Sequence, residues 1–300
     1  MFSILFPGQG SQNIGMAKEL FENFNYVKEY FLNANELLNK NLSKIIFDGP
    51  KNDLDQTENT QPAIFLVSYS FFKVIEKETE FKLKEAKYFA GHSLGEYSAL
   101  CCAEALSFDQ TINLLKRRGA AMQNALPNGE GGMLAILGQT IENINSILKE
   151  NEKKFTCYIA NDNSNGQIVL SGKKINLELL SEILIKKNIK FVKLPVSAPF
   201  HCPLMKNATY EMKSLINETE FKDPIVNIIS NVTANPLSKS NDIKKFLIEQ
   251  IENPVRWRES INNMISFGIN SFIEMGPGKV LSGLVKRIDR NVKLNQVNNL

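Results

Sequence analysis

Tyr88-Phe89-Ala90-Gly91-His92-Ser93-Leu94-Gly95-Glu96 is a short apolar run, a serine between two glycines, and the opening of a further apolar stretch. A strand, a sharp turn and a helix over 97–104 is the pattern of a nucleophile elbow. The glycines flank the serine because the strained turn brings neighbouring backbone too close for a Cβ. Such a turn lifts the Ser93 hydroxyl clear of a sheet and aims the Leu94 amide at an oxyanion formed there. A serine nucleophile needs a base that is neutral near pH 7, and the chain has only two histidines. His92 is locked inside the elbow, where packing and hydrogen bonding are its expected work. His201 is then the candidate base.

Composition narrows the field around this site. With 300 residues, 43% of them hydrophobic, the chain can bury a large core. Its net charge of +3, from 35 basic and 32 acidic residues, is too balanced for a nucleic-acid binder. The longest apolar stretch, 63–75, is interrupted by Ser68, Ser70 and Lys73, so no membrane span is expected. The start of the chain, residues 1–8, reads as a buried strand and a turn and not as a signal peptide, which points to the cytoplasm. Cys101, Cys102, Cys157 and Cys202 form no C-x-x-C pair and read as reduced thiols; no metal site is expected.

Outward from the elbow, strands alternate with helices. A strand over 2–6 leads into the loop Pro7-Gly8-Gln9-Gly10-Ser11-Gln12, and helices are expected over 16–24, 27–38 and 62–76, the last capped by Thr60. Ser107-Phe108-Asp109-Gln110 has the form of a capping box for a helix reaching about residue 126. From Gly131 the order becomes strand 133–137, helix 141–150, strand 156–160, a polar turn 161–166, strand 167–171, helix 175–187 and strand 190–195. That βαββαβ order is the split ferredoxin-like unit. Beyond it come strand 226–230, helices 242–251 and 258–267, strand 271–274 and a glycine loop at Gly276 opening a last helix. The expectation is an α/β protein: a parallel-sheet, α/β-hydrolase-like catalytic part (1–128 and 198–300) with a ferredoxin-like subdomain (129–197) inserted. The loops at Gln9, Ser93 and Gly276 all follow strands, and ligands of such sheets bind beyond the carboxyl ends of the strands.

Arg118 is the other side chain that stands out. At about 100° per residue, Leu114, Leu115, Ala121, Met122 and Ala125 fall within roughly 60° of it, so it sits at the centre of an apolar arc. A guanidinium there needs an anion, either an internal carboxylate or the carboxylate of a substrate. Arg117 falls on the flank of the arc and is expected to be solvated. His201 follows the rigid run Pro195-Val196-Ser197-Ala198-Pro199-Phe200, at the exit of the inserted subdomain and so on the rim of a cleft. For Gln9, a turn role and a site role are equally compatible with the sequence.

At these residues the chain resembles the malonyl-CoA:acyl carrier protein transacylases. Phe6-Pro7-Gly8-Gln9-Gly10-Ser11-Gln12, Gly91-His92-Ser93-Leu94-Gly95-Glu96, Arg118-Gly119-x-x-Met122-Gln123, Pro199-Phe200-His201, Asn253-Pro254-Val255-x-Trp257 and Glu274-x-Gly276-Pro277-Gly278 occur in that family's order over essentially the whole chain. The resemblance implies that Ser93 is acylated with His201 as its base. It further implies that Arg118 binds the malonyl carboxylate beside Met122 and Phe200, and that the Gln9 and Leu94 amides form the oxyanion hole. It also implies that the backbone carbonyl of Gln250, in place of an aspartate, orients the histidine. The implied enzyme is an [acyl-carrier-protein] S-malonyltransferase of fatty-acid biosynthesis working by ping-pong kinetics. It uses no cofactor, since the carrier protein brings its own phosphopantetheine. Its partners would be malonyl-CoA and a transiently bound acidic acyl carrier protein, with no nucleic acid or membrane, and the enzyme a monomer. Lys279, Lys286 and Arg287 are candidates for the carrier's docking rim. Leu94 and Phe200 favour malonyl over methylmalonyl, because a bulky Phe200 leaves little room for an α-methyl. A polyketide-pathway acyltransferase fits the same motifs. The rivals from other classes are a serine esterase or lysophospholipase, which would want an aspartate and no buried arginine, and a non-catalytic scaffold, at odds with an intact serine, histidine and arginine.

Overall fold

A computed structural model describes residues 1–299. The apolar runs become two sheets. Six strands form the larger: β1 (Phe2–Phe6), β2 (Tyr88–Gly91), β7 (Ile228–Ile229), β8 (Pro236–Leu237), β9 (Ser271–Met275) and β10 (Lys293–Val297), in the order β10-β9-β1-β2-β7-β8. All neighbours are parallel except β7 and β8. Both faces of this sheet are covered, as a parallel sheet requires. Ile4, Phe6 and Phe89 face one cluster, and Leu5, Tyr88 and Ala90 face another built on Trp257 and Leu281.

The smaller sheet holds β3 (Gly131–Leu137), β4 (Cys157–Ser164), β5 (Gln167–Lys173) and β6 (Lys190–Lys193), wholly antiparallel in the order β4-β5-β3-β6. This is the ferredoxin-like order, with helices Ile141–Glu150 and Lys174–Lys186 supplying its core with Ile144, Ile147, Leu177, Leu180 and Leu184.

Several expected boundaries move, each for a tertiary reason. Helix Thr57–Glu78 begins before Pro62, which lies inside it, and Thr60 does not cap it. The Thr60 hydroxyl instead donates to the Leu54 and Gln56 carbonyls. Strand β4 runs through Ser164 where a polar turn was expected. Its polar residues find partners across the molecule: the Asp162 amide donates to the Val255 carbonyl, and Arg258 grips the Asp162 carboxylate. Helices Leu42–Asp48, Lys51–Leu54 and Lys206–Glu218, and strands β8 and β10, were not expected from the sequence. The capping box does form: the Ser107 hydroxyl accepts from the Gln110 amide and the Gln110 side chain accepts from the Ser107 amide. Helix Phe108–Gln123 then packs so tightly on Thr57–Glu78 that a Cβ on Gly119 would come 2.6 Å from the Thr57 carbonyl oxygen.

Candidate active site

Strand β2 ends in the expected sharp turn, with Ser93 at φ 53°, a left-handed conformation that costs a non-glycine residue energy. The turn is possible because β1, β2 and helix Gly95–Cys102 nearly touch. A Cβ on Gly91 would fall 1.9 Å from the Gly95 carbonyl group, and one on Gly95 would fall 2.2 Å from the Phe6 oxygen. Asn231, after β7, locks the turn from the side: its Oδ1 accepts from the Ser93 amide at 2.7 Å, and its Nδ2 donates to the Gly91 carbonyl at 2.7 Å.

The structure brings His201 to the serine. Its Nε2 lies 2.8 Å from Ser93 Oγ, while Nδ1 lies 2.8 Å from the Gln250 backbone oxygen. Because a carbonyl can only accept, Nδ1 carries the proton and Nε2 presents its lone pair to the hydroxyl. His201 is itself held at φ 58°, and its segment is tied down by the Ser171 hydroxyl, which donates to the Phe200 carbonyl at 2.6 Å. Burial, then the nearby Arg118 charge, lowers the imidazole to about 3, so it is neutral throughout the physiological range. Among the described residues no carboxylate forms an ion pair with it.

Arg118 is 1% exposed and aims its fork at the same point. Nη1 donates to Gln61 Oε1 at 2.8 Å; Nη2 donates to Gln250 Oε1 at 2.7 Å and to Ser93 Oγ at 3.1 Å. Its Nε is buried without a partner, and the guanidinium carbon lies 5.5 Å from the centre of the Tyr97 ring. The internal carboxylate that could have satisfied it directly is not in contact: Glu96 reaches it only through the Gln250 amide. Arg117, by contrast, is exposed and pairs loosely with Glu211 at 3.5 Å.

These groups open into a cavity of about 140 Å³ lined also by Gln9, Leu94, Met122, Phe200, Met133 and Val196. The backbone amides of Gln9 and Leu94 have no hydrogen-bond acceptor among the described residues. The Gly276 loop does not line the cavity; it packs on Pro7 and Ser68 and so supports the Gln9 loop from behind. Cys202 is no competing nucleophile. Its thiol is buried, donates to the Pro199 carbonyl, and is raised to about 11 by burial.

Sequence reasoning missed the amides that fix these groups. Gln61, Asn231 and Asn163, whose Oδ1 lies 2.9 Å from His92 Nε2, carry no motif, and only the fold brings them to the site. Glu96 left one signal, a carboxyl in a helix whose eight residues are otherwise small or apolar and are all buried.

A serine on an elbow, a neutral imidazole on its hydroxyl and a buried guanidinium facing both define a protein of the serine-dependent acyl-group-handling class. The family model described as acyl transferase domain matches residues 4–297. A malonyl CoA-acyl carrier protein transacylase of Bacillus subtilis is 45% identical over 97% of this chain and 91% of its own length; one from Haemophilus influenzae is 36% identical over 100% and 96%. Among solved structures, an acyl-carrier-protein-S-malonyltransferase from Bartonella henselae superposes with a TM-score of 0.96 at 41% identity, covering 99% of this chain and 95% of that one. A malonyl-transacylase in complex with its type II PKS acyl-carrier protein superposes at 0.95 with 36% identity, covering 100% and 96%. The chain belongs to the acyl transferase domain family, among the malonyl CoA-acyl carrier protein transacylases.

Proposed function

We propose that this protein moves a malonyl group from malonyl-CoA to the phosphopantetheine thiol of an acyl carrier protein, through a malonyl ester of Ser93. The observation that carries the chemistry is the convergence of His201 Nε2 and Arg118 Nη2 on one serine oxygen, at 2.8 and 3.1 Å. Ser93 Oγ attacks the thioester carbonyl as its proton passes to Nε2, and the carbonyl oxygen takes up the negative charge facing the Leu94 and Gln9 amides. The C–S bond then breaks, the thiolate of CoA takes the proton from the imidazolium, and malonyl-Ser93 remains. In the second half the carrier's thiol gives its proton to Nε2 and its sulfur attacks the ester. Ser93 leaves and recovers the proton.

Arg118 is assigned the malonyl carboxylate. Its unpartnered Nε and lack of direct carboxylate contact leave a buried cation whose best partner arrives with the substrate. That pairing also serves the base: the Arg118 charge helps to depress His201, and a bound carboxylate offsets it, so basicity rises when substrate is in place. The carbonyl of Gln250 orients His201, and Met122 and Phe200 wall the cavity to a small acyl group. Residues 1–128 and 198–300 form the catalytic part and 129–197 the inserted subdomain that roofs it. A monomeric, cytoplasmic enzyme without a cofactor, supplying fatty-acid synthesis and docking an acidic carrier on exposed Lys279, Lys286 and Arg287, completes the reading. No helix among the described residues is long and apolar enough to cross a membrane.

A hydrolase reading lacks support where it needs it, since His201 is oriented by a carbonyl and not by a carboxylate. Intact-mass analysis after mixing with malonyl-CoA tests the choice. The wild type gains one malonyl mass and Ser93→Ala gains none while keeping its circular dichroism spectrum. Rapid CoA release without an adduct is the hydrolase outcome, and an adduct on Ser93→Ala moves the nucleophile elsewhere.

A further inference from the structure

Glu96 is a carboxyl that the acyl-transfer chemistry leaves unused, and it is only 2% exposed. It stands three residues after the nucleophile on a wholly buried helix. Its Oε2 accepts from Gln250 Nε2 at 2.7 Å and from the Asn231 amide at 3.2 Å. Gln250 turns its other end to Arg118, with Oε1 2.7 Å from Nη2. An amide between a guanidinium and a carboxylate can sit only one way round, oxygen to the cation and nitrogen to the anion. Glu96 thereby fixes the side chain of the residue whose backbone carbonyl holds His201, and whose Nε2 also donates to the Ser93 carbonyl at 3.1 Å.

With the site empty and Glu96 ionised, Glu96 and Arg118 together are neutral. A malonyl carboxylate docked on Arg118 adds a negative charge that no further Lys or Arg among the described residues lining the cavity can match. We propose that Glu96 is a positioning residue that sets the charge balance of the Arg118 pocket through Gln250, taking up a proton when the malonyl carboxylate binds. This rests on the assignment of that carboxylate to Arg118.

The balance is simple: one proton from solvent converts a carboxylate to a carboxyl. Oε1 can carry it while Oε2 goes on accepting from Gln250 and Asn231. Burial raises Glu96 to about 7, with Gln250, the Asn231 amide and Arg118 pulling it down, so little further push protonates it. The other groups around it are silent near neutrality. Arg118, from helix Phe108–Gln123, stays charged. Burial raises Tyr97, on Glu96's own helix, to about 12; His201 is lowered to about 3, and His92 of the elbow is also lowered by burial. A pH effect on malonyl binding between about pH 6 and 8 is therefore assigned to Glu96.

The test is calorimetry of acylation by malonyl-CoA at about pH 7, run in buffers of different ionisation heat, with intact-mass readout of the adduct. The wild type takes up as much as about half a proton per malonyl-Ser93 formed, and its KM for malonyl-CoA rises as pH rises past about 7. Glu96→Gln keeps the hydrogen-bonding shape without the charge. It takes up none, its KM is lower and flat with pH, and its kcat stays within a few-fold. Equal proton counts in the two proteins, or none in the wild type, overturn the proposal. Should Glu96→Gln fail to fold, infrared difference spectra of the wild type, with carbon-13 in the malonyl group to move its bands aside, read the new carboxyl band directly. Absence of that band is equally fatal. A wild type that gains no malonyl mass brings down the proposed function and this inference together, whereas an adduct without proton uptake removes only Glu96.

Discussion

Arg118 is a buried cation held by neutral groups. Its fork is filled by two amide oxygens and a hydroxyl, all neutral acceptors, and among the described residues it forms no ion pair, so the proposed malonyl carboxylate would be its first direct charged partner. Arg118→Ala is therefore expected to cost malonyl-CoA turnover roughly 2–5 kcal/mol in kcat/KM, the range for removing one member of a desolvated pair. Acetyl-CoA has no carboxylate to strand, so its poor use falls much less and the malonyl-to-acetyl ratio collapses. An unchanged ratio would reduce Arg118 to a structural role. His201 gives the pH counterpart. A folded value of about 3 lies below the ordinary 6.5, so the neutral base persists as pH falls. Between pH 7.5 and 5 the kcat/KM for acylation should hold or rise by a few-fold as Glu96 takes up its proton, where an unperturbed histidine would lose about 30-fold. A fall of that size over that range would show His201 to be solvated in the working enzyme. Both residues were legible in the sequence, one from helical phase and one from scarcity. Their amide partners Gln61 and Gln250 carry no such signal: each is separated from them by a long stretch of chain, an amide at a given position has no periodic signature, and Gln250 enters only through the family resemblance.

The elbow is the element on which the site stands, and its glycines are fixed by contact distances. A Cβ on Gly91 would overlap the Gly95 carbonyl group at 1.9 Å, and backbone cannot yield as a side-chain tip does. Gly91→Ala should cost roughly 3 kcal/mol or more in chemical denaturation and abolish the malonyl adduct, because helix Gly95–Cys102 must move off β2. A variant with an unshifted midpoint would mean that strand and helix can separate freely. The same elements show what a sequence can disclose. Motif and period marked β1, β2, the capped helix Phe108–Gln123 and the βαββαβ order. The edge strand β10, Lys293–Val297, alternates weakly and is mostly exposed, so nothing distinguished it from a tail. Helix Lys206–Glu218 buries only Ala208, Met212 and Ile216, a stripe one residue wide that is easily overlooked in a polar stretch. Strand β4 was cut short because Asn161-Asp162-Asn163 has turn composition, and the partners that straighten it lie about 70 to 100 residues away.

At the scale of the molecule, residues 160–163 tie the smaller sheet to the loops and helix that flank the larger one. The Val255 amide donates to the Ala160 carbonyl, the Asp162 amide donates to the Val255 carbonyl, and Asn163 meets His92 in the elbow. The Arg258 guanidinium closes this seam on Asp162 with three contacts of 2.7 to 3.0 Å. The Asp162 side chain is 9% exposed and that of Arg258 is 31%, so the pair is neither a solvated surface bridge nor fully enclosed. Removing the cation strands a nearly buried carboxylate, and a cost of about 1–3 kcal/mol is expected, below the 3–5 of a fully buried pair because water reaches Arg258. The functional effect follows from the geometry. Met133, Val169, Leu194 and Val196, from the smaller sheet and its exit, complete the cavity over Ser93, so a loosened seam widens it and admits water. Arg258→Ala should still form malonyl-Ser93 but hydrolyse it faster, with hydrogen exchange rising selectively across 157–164. The double variant Arg258→Leu with Asp162→Asn, which leaves no stranded charge, should recover part of the stability. Adduct lifetime and exchange that both match the wild type would show that the Arg258–Asp162 pair contributes nothing to holding the seam closed.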